Sequence, residues 1–130
     1  MSSIFTKIIQ GKIPCRKILE DDTFFSFLDI NPINPGHTLV IPKQEIDYFF
    51  DLDSVHLSKI LLFSKRITPA LEQVIPCKRI GILVAGLEVP HAHLHLVPMM
   101  EEGDLTFERA KPGNPEELAM LANKIKNFII

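Results

Sequence analysis

Between residues 91 and 97 the chain reads H-A-H-L-H-L-V, which sets His91, His93 and His95 two residues apart. Three of the chain's five histidines fall in this stretch. Two-residue spacing is the period of a β-strand, so the three imidazoles project from one face and Ala92, Leu94 and Leu96 from the other. Three readings are open. Buried together for structure alone, the rings would need several polar partners. As metal ligands they are limited by reach: at a rise of about 3.3 Å per residue, the outer two Cα atoms lie roughly 13 Å apart. All three cannot easily close on one ion at bond lengths near about 2.1 Å. Two could, with His37 or Glu88 as a further ligand. The third reading is nucleophilic catalysis. A neutral imidazole attacks phosphorus when its second nitrogen is held by an acceptor. The central His93 is the natural nucleophile, and its neighbours can donate to phosphate oxygens as charge develops. His37, just after the Pro35-Gly36 turn, heads a separate strand that can deliver it to the same place.

Composition bounds the alternatives. The 130 residues are 46% hydrophobic and 23% charged with a formal net charge of −2, the profile of one ordinary domain with a real core. No basic excess argues for nucleic acid. No apolar run reaches the roughly 18 residues of a membrane span. The opening M-S-S-I-F-T-K lacks the pattern of a signal peptide. Cys15 and Cys77 are isolated, so neither a zinc ribbon nor a disulfide framework is expected, and a reducing cytoplasm is the simplest location.

Several elements must position the histidines. Residues 3–10 pattern as a short helix with Ser3 as its cap, ended by Gly11. Strands are expected near 15–20 and 23–29, then a proline-stiffened loop over 31–36, then a strand from His37 to Ile41 that stops at Pro42. The spacing of Leu57, Ile60, Leu61, Ser64 and Ile67 predicts a helix from Ser54 to about Ile67, with Pro69 kinking or ending it. Residues 79–85 and 91–99 read as strands. Asn114-Pro115-Glu116-Glu117 opens a last helix running to about Phe128. The order predicts an α+β domain with a mainly antiparallel sheet and helices on one side.

The pattern H-φ-H-φ-H-φ-φ, with φ hydrophobic, is matched at every position of 91–97, and here the chain resembles the histidine triad (HIT) superfamily. S-I-F-T-K-I-I-Q-G-K-I-P at 3–14, L-E-D-D at 19–22, F-L-D-I-N-P-I-N-P-G-H-T-L-V-I-P-K at 27–43 and G-L-E-V-P-H-A-H-L-H-L-V-P at 86–98 are similar to its Hint branch. The resemblance implies a single HIT domain over 1–130, with a C-terminal extension that includes the helix near 115–128. It implies a five-stranded, mainly antiparallel sheet continued across a homodimer, and a site for a purine nucleotide. The implied reaction is hydrolysis at the α-phosphate through a covalent nucleotidyl-histidine, with no cofactor.

Carried over by position, His93 is the nucleophile and His95 contacts the α-phosphate and leaving group. His91 and His37 set the site geometry. Asp29 accepts hydrogen bonds from the two ribose hydroxyls, as a short carboxylate can, and Ile30 follows along the ribose. Phe5, Ile8, Phe27 and Leu28 match an apolar pocket for the base, where ordinary core packing is the competing role.

Two departures matter. Many HIT proteins carry C-x-x-C near the start and use it in a zinc site; here the place reads Ser3-Ile4-Phe5-Thr6, so no structural zinc is expected. Many Hint relatives place Gln-Ser or Gln-Thr shortly before the triad; here Leu87-Glu88 stands there. Glu88 can serve as acceptor or proton donor, or turn away to a Lys or Arg. The resemblance leaves three activities open: a nucleoside phosphoramidase, a dinucleoside polyphosphate hydrolase, and a nucleotide- or protein-binding module with weak activity.

Overall fold

The run Phe24-Phe25-Ser26-Phe27-Leu28 shows no strict alternation of apolar and polar residues, and all five are buried. Such a strand must be covered on both faces. The computed structural model, which describes residues 2–130, shows what covers them. Its strands are β1 (Lys17–Glu20), β2 (Phe24–Leu28), β3 (Thr38–Pro42), β4 (Arg79–Leu83) and β5 (Leu94–Met99). Its helices are α1 (Ile4–Ile9), α2 (Ser54–Val74) and α3 (Pro115–Asn127). The strands form one sheet in the order β1-β2-β3-β5-β4, every neighbouring pair antiparallel.

On one face Phe24, Leu28, Val40, Leu94 and Leu96 pack under α2 and α3 with Ile60, Ile67, Leu71 and Ile125. On the other, Phe25, Phe27, Leu39 and Ile41 pack under α1 through Phe5 and Ile8. The helices therefore do not all lie on one side, as the element order had predicted. Ser3 caps α1 by accepting from the Thr6 N–H at 3.0 Å, and Asn114 caps α3 by accepting from Glu116 and Glu117.

Two boundaries differ from expectation. α2 does not end near Ile67 but runs through Pro69 to Val74. Pro69 and Lys65, whose carbonyl loses its helical partner, both lie on the exposed side of the helix. Ala70 and Leu71, beyond the proline, are buried and keep the helix on the sheet. The strand expected from residue 91 begins only at Leu94. The His91 N–H donates to the Val89 carbonyl and the Ala92 N–H to the Ile46 carbonyl, so this backbone is taken out of the ladder. Among the described residues no helix is long and apolar enough to cross a membrane.

Candidate active site

The triad lies on the α1 face of the sheet and at its entry. His95 sits within β5, opposite Leu39 of β3 and Leu83 of β4. His91 and His93 sit in the irregular approach. His37 and Asp29 arrive from the ends of adjacent strands: Asp29 directly follows β2, His37 directly precedes β3, and the Asp29 N–H donates to the His37 carbonyl at 3.0 Å. Gly36 makes that arrival possible. Its φ is +89°, and a Cβ there would stand 2.8 Å from Cγ1 of Ile75.

Main-chain groups fix the protons on three of the four site histidines, and one of those three fixes the fourth. Nδ1 of His93 lies 2.7 Å from the carbonyl of His91 and must donate to it. Its Nε2 is left with a free lone pair, and the ring forms part of the wall of a cavity of about 260 Å³. Nε2 of His91 donates to the Pro42 carbonyl at 2.8 Å, so its Nδ1 accepts from the Ser3 hydroxyl at 2.7 Å. The Ile33 N–H donates to Nδ1 of His37 at 3.0 Å. The His37 proton therefore sits on Nε2 and is donated to Nδ1 of His95 at 2.9 Å. That leaves a proton on Nε2 of His95, which is buried and has no partner.

Burial keeps these rings neutral. It pushes His37 down to about 4. It takes His95 down to about 3, with help from the charges His37 and His93 would carry. His91 and His93 are also lowered, chiefly by burial and partly offset by their hydrogen bonds to main-chain carbonyls. Asp29 moves the opposite way, raised by burial first and then by Glu88, against the Asn31 N–H that lowers it. Its Oδ2 is 3.6 Å from Nε2 of His37. A neutral His37 makes no ion pair there, and its proton goes to the nearer His95.

Asp29, His37 and His95 bring three potential ligand atoms within 4.8 Å of one another. They do not fit a cation. Metal binding would need the lone pair of His37 Nε2, which would force a proton onto Nδ1 against the Ile33 N–H, donor against donor. The C-x-x-C position does not fit one either. The Thr6 hydroxyl and the Ser3 N–H both donate to Oε1 of Glu45 at 2.6 Å, and the Ser3 hydroxyl is spent on His91. Neutral hydroxyls stand where a zinc site needs thiolates.

The remaining expected residues divide. Phe5 packs edge-on against both Phe27 and His93, with centroids 5.5 and 5.0 Å away, and Ile8 lies beside them in the same core. Leu28 does not join them; by strand alternation it faces the α2 core. Ile30 is exposed beside Asp29. Leu87 is exposed and lines the His93 cavity, together with Asp47, Tyr48, Phe49, Val84, Ala85, Gly86 and Ala92. Glu88 is exposed and pairs with no Lys or Arg among the described residues; its charge is felt at both Asp29 and His93. Sequence reading missed Ser3 and Glu45 around His91, Tyr48 and Phe49 in the cavity, and Phe107, whose ring stands 4.9 Å from that of His95. Phe107 left one signal: it is the only aromatic residue in the polar stretch E-E-G-D-L-T-F-E-R-A-K.

Comparison with known proteins places this geometry. The family described as HIT domain matches residues 10–102. The adenosine 5'-monophosphoramidase hnt1 of Schizosaccharomyces pombe is 35% identical over 133 residues, covering 99% of each chain. A HIT-like protein involved in cell-cycle regulation from Bartonella henselae superposes with a TM-score of 0.84 at 30% identity, covering 97% of this chain and 95% of its own. A zinc-bound histidine triad family protein from Mycobacterium smegmatis superposes at 0.83 with 28% identity, covering 98% and 92%.

Proposed function

The chain belongs to the HIT family, and from that premise we propose that it hydrolyses purine nucleoside phosphoramidates at the α-phosphate through a nucleotidyl-His93 intermediate. The observation that carries this reading is the proton on Nδ1 of His93, held by the His91 carbonyl at 2.7 Å, which leaves Nε2 as a free nucleophile beside a cavity. The similarity to an adenosine 5'-monophosphoramidase supports the substrate class.

In the first step Nε2 of His93 attacks the α-phosphorus. An N–P bond to the enzyme forms, and the bond from phosphorus to the departing nitrogen breaks as that nitrogen takes a proton from solvent. Nε2–H of His95 donates to a phosphoryl oxygen, where charge accumulates; loss of one such preorganised donor costs about 3–4 kcal/mol of transition-state stabilisation. The imidazolium formed at His93 is stabilised by its bond to the His91 carbonyl. Water then displaces the imidazole, its proton leaves to solvent, and nucleoside monophosphate is released. Asp29 holds the ribose hydroxyls with Ile30 alongside. Phe5, Ile8 and Phe27 form the apolar wall toward the base. The leaving group projects into the cavity of Tyr48, Phe49 and Leu87, which Asp47 also lines, and Glu88 follows Leu87 directly in the chain.

The test is single-turnover hydrolysis of adenosine phosphoramidate by the wild-type protein and His93→Ala, with acid-quenched protein searched for the nucleotidyl adduct. Loss of both turnover and adduct in His93→Ala is expected; equal rates would overturn the assignment. Diadenosine polyphosphate as the better substrate would move the reading to P–O–P cleavage.

The proposed assembly is a homodimer through β4. That strand forms one edge of the sheet, and Ile82, together with Val84 just beyond it, exposes apolar surface there. Sedimentation of the wild-type protein and Ile82→Lys should show a dimer and a monomer respectively.

A further inference from the structure

Among the described residues, Nε2 of His95 is the buried side-chain nitrogen left without a partner, and the hydrogen bonds running from Ile33 through His37 put a proton on it. A buried donor with no acceptor is costly, and such a group asks for an explanation. Three rings pack against the His95 imidazole: His37 at 5.1 Å, His93 at 4.9 Å and Phe107 at 4.9 Å between centroids. The first two cannot give way, being buried and hydrogen-bonded to main chain. Phe107 differs. It belongs to the connection between β5 and α3, sits on the single 3-10 turn Phe107–Arg109, and is 45% exposed.

The backbone of that connection is anchored on both sides of the ring. Asp104, itself buried, accepts from the Met100 and Glu101 N–H groups and pairs with Arg109. Further on, the Gly113 N–H donates to the Ile30 carbonyl at 2.8 Å, next to Asp29. The chain is pinned on both sides, while the half-exposed Phe107 ring stands between solvent and the His95 imidazole.

We propose that Phe107 tunes the affinity for anionic ligands: it covers the His95 proton donor in the free protein and is displaced by a ligand that brings an anionic oxygen to that donor. The identity of the anion as a phosphoryl group rests on the nucleotide reading above. A nucleoside offers no such oxygen and leaves the ring in place. A nucleoside monophosphate or phosphoramidate displaces the ring and gains the hydrogen bond. The same cover keeps water from His95, in agreement with a neutral imidazole there.

Phe107→Ala and Phe107→Leu test this in two ways. The first needs no ligand: solvent exchange of the His95 Nε2 proton is followed by NMR on protein with labelled histidine. Exchange should be at least roughly tenfold faster in Phe107→Ala, with Phe107→Leu close to wild type because Leu keeps an apolar plug. Unchanged exchange in Phe107→Ala overturns the proposal whatever the protein binds. The second compares dissociation constants for AMP and adenosine. AMP should tighten about three- to tenfold in Phe107→Ala while adenosine stays within about twofold. A parallel shift of both ligands, or weaker AMP binding, overturns the selectivity. If wild type binds neither, the nucleotide reading falls and the exchange measurement alone decides the role of Phe107.

Discussion

His37 donates a proton from Nε2 to Nδ1 of His95 across 2.9 Å, and the Ile33 N–H behind it dictates that direction. A backbone amide thus sets which nitrogen of His95 carries the proton. His37→Ala removes the donor, and the His95 proton is free to move to Nδ1. Hydrolysis should slow on the order of ten- to hundredfold in kcat, with little change in KM, the worth of one hydrogen bond in the transition state. His37→Gln, which can accept and donate, should recover part of the loss. Steady-state kinetics of the two variants against wild type checks this; an unchanged kcat in His37→Ala would contradict it.

Stability should fall as the solution is acidified below about pH 6.5. Folding lowers His37 from 6.5 to about 4 and His95 from 6.5 to about 3. Below 6.5 the unfolded chain takes up protons that the folded protein refuses, so the unfolded state binds more of them and stability decreases with falling pH. The contribution is complete above the unfolded value and is lost through the interval down to the folded ones. Urea midpoints should be level from about pH 7 to 8 and already drop between about 6.5 and 5, above the range of ordinary carboxylates. A level midpoint across that interval would mean the two rings are not held neutral.

Asp29→Asn should raise KM for a ribonucleotide substrate by about ten- to hundredfold, since a charged acceptor for two hydroxyls becomes a neutral one. A 2',3'-dideoxy analogue has nothing to lose, so wild type and variant should then differ little. An equal loss with both substrates would place Asp29 in the scaffold instead of on the sugar.

Pro69→Ala should stabilise the protein. Pro69 lies inside α2 on its exposed side and withholds one helical hydrogen bond. Proline in a helix interior costs about 3 kcal/mol relative to alanine, offset by up to about 1 kcal/mol through the more restricted unfolded chain. A net gain of about 1–3 kcal/mol in urea denaturation is expected, with activity unchanged. A loss of stability would show that the proline ring makes packing the helix needs.

The legible parts of this chain were those carried by local pattern. Ser3 and Asn114 read as caps and act as caps, because capping is decided within four residues. Five strands were expected and five are present, with ends that shift by a few residues. Pro69 misled because the rule it invokes is local, whereas Ala70 and Leu71 are held by burial against a distant sheet. The strand at His91 misled because Ala92 found a hydrogen-bond partner in Ile46, far back in the chain.

The sequence by itself determined that three histidines share one two-residue register, that His37 and Asp29 flank strand ends, and that a family pattern runs through them. Tertiary structure alone decided where the protons sit. The His93, His91 and His37 tautomers are set by the His91 and Pro42 carbonyls and the Ile33 N–H, and that of His95 by the proton His37 donates. Main-chain groups carry no residue identity, so no sequence motif announces them. Phe107 likewise meets His95 only because the segment after β5 folds back across the site. Chemistry was legible in the side chains; its direction was written by backbone groups that only the fold brings within hydrogen-bond reach.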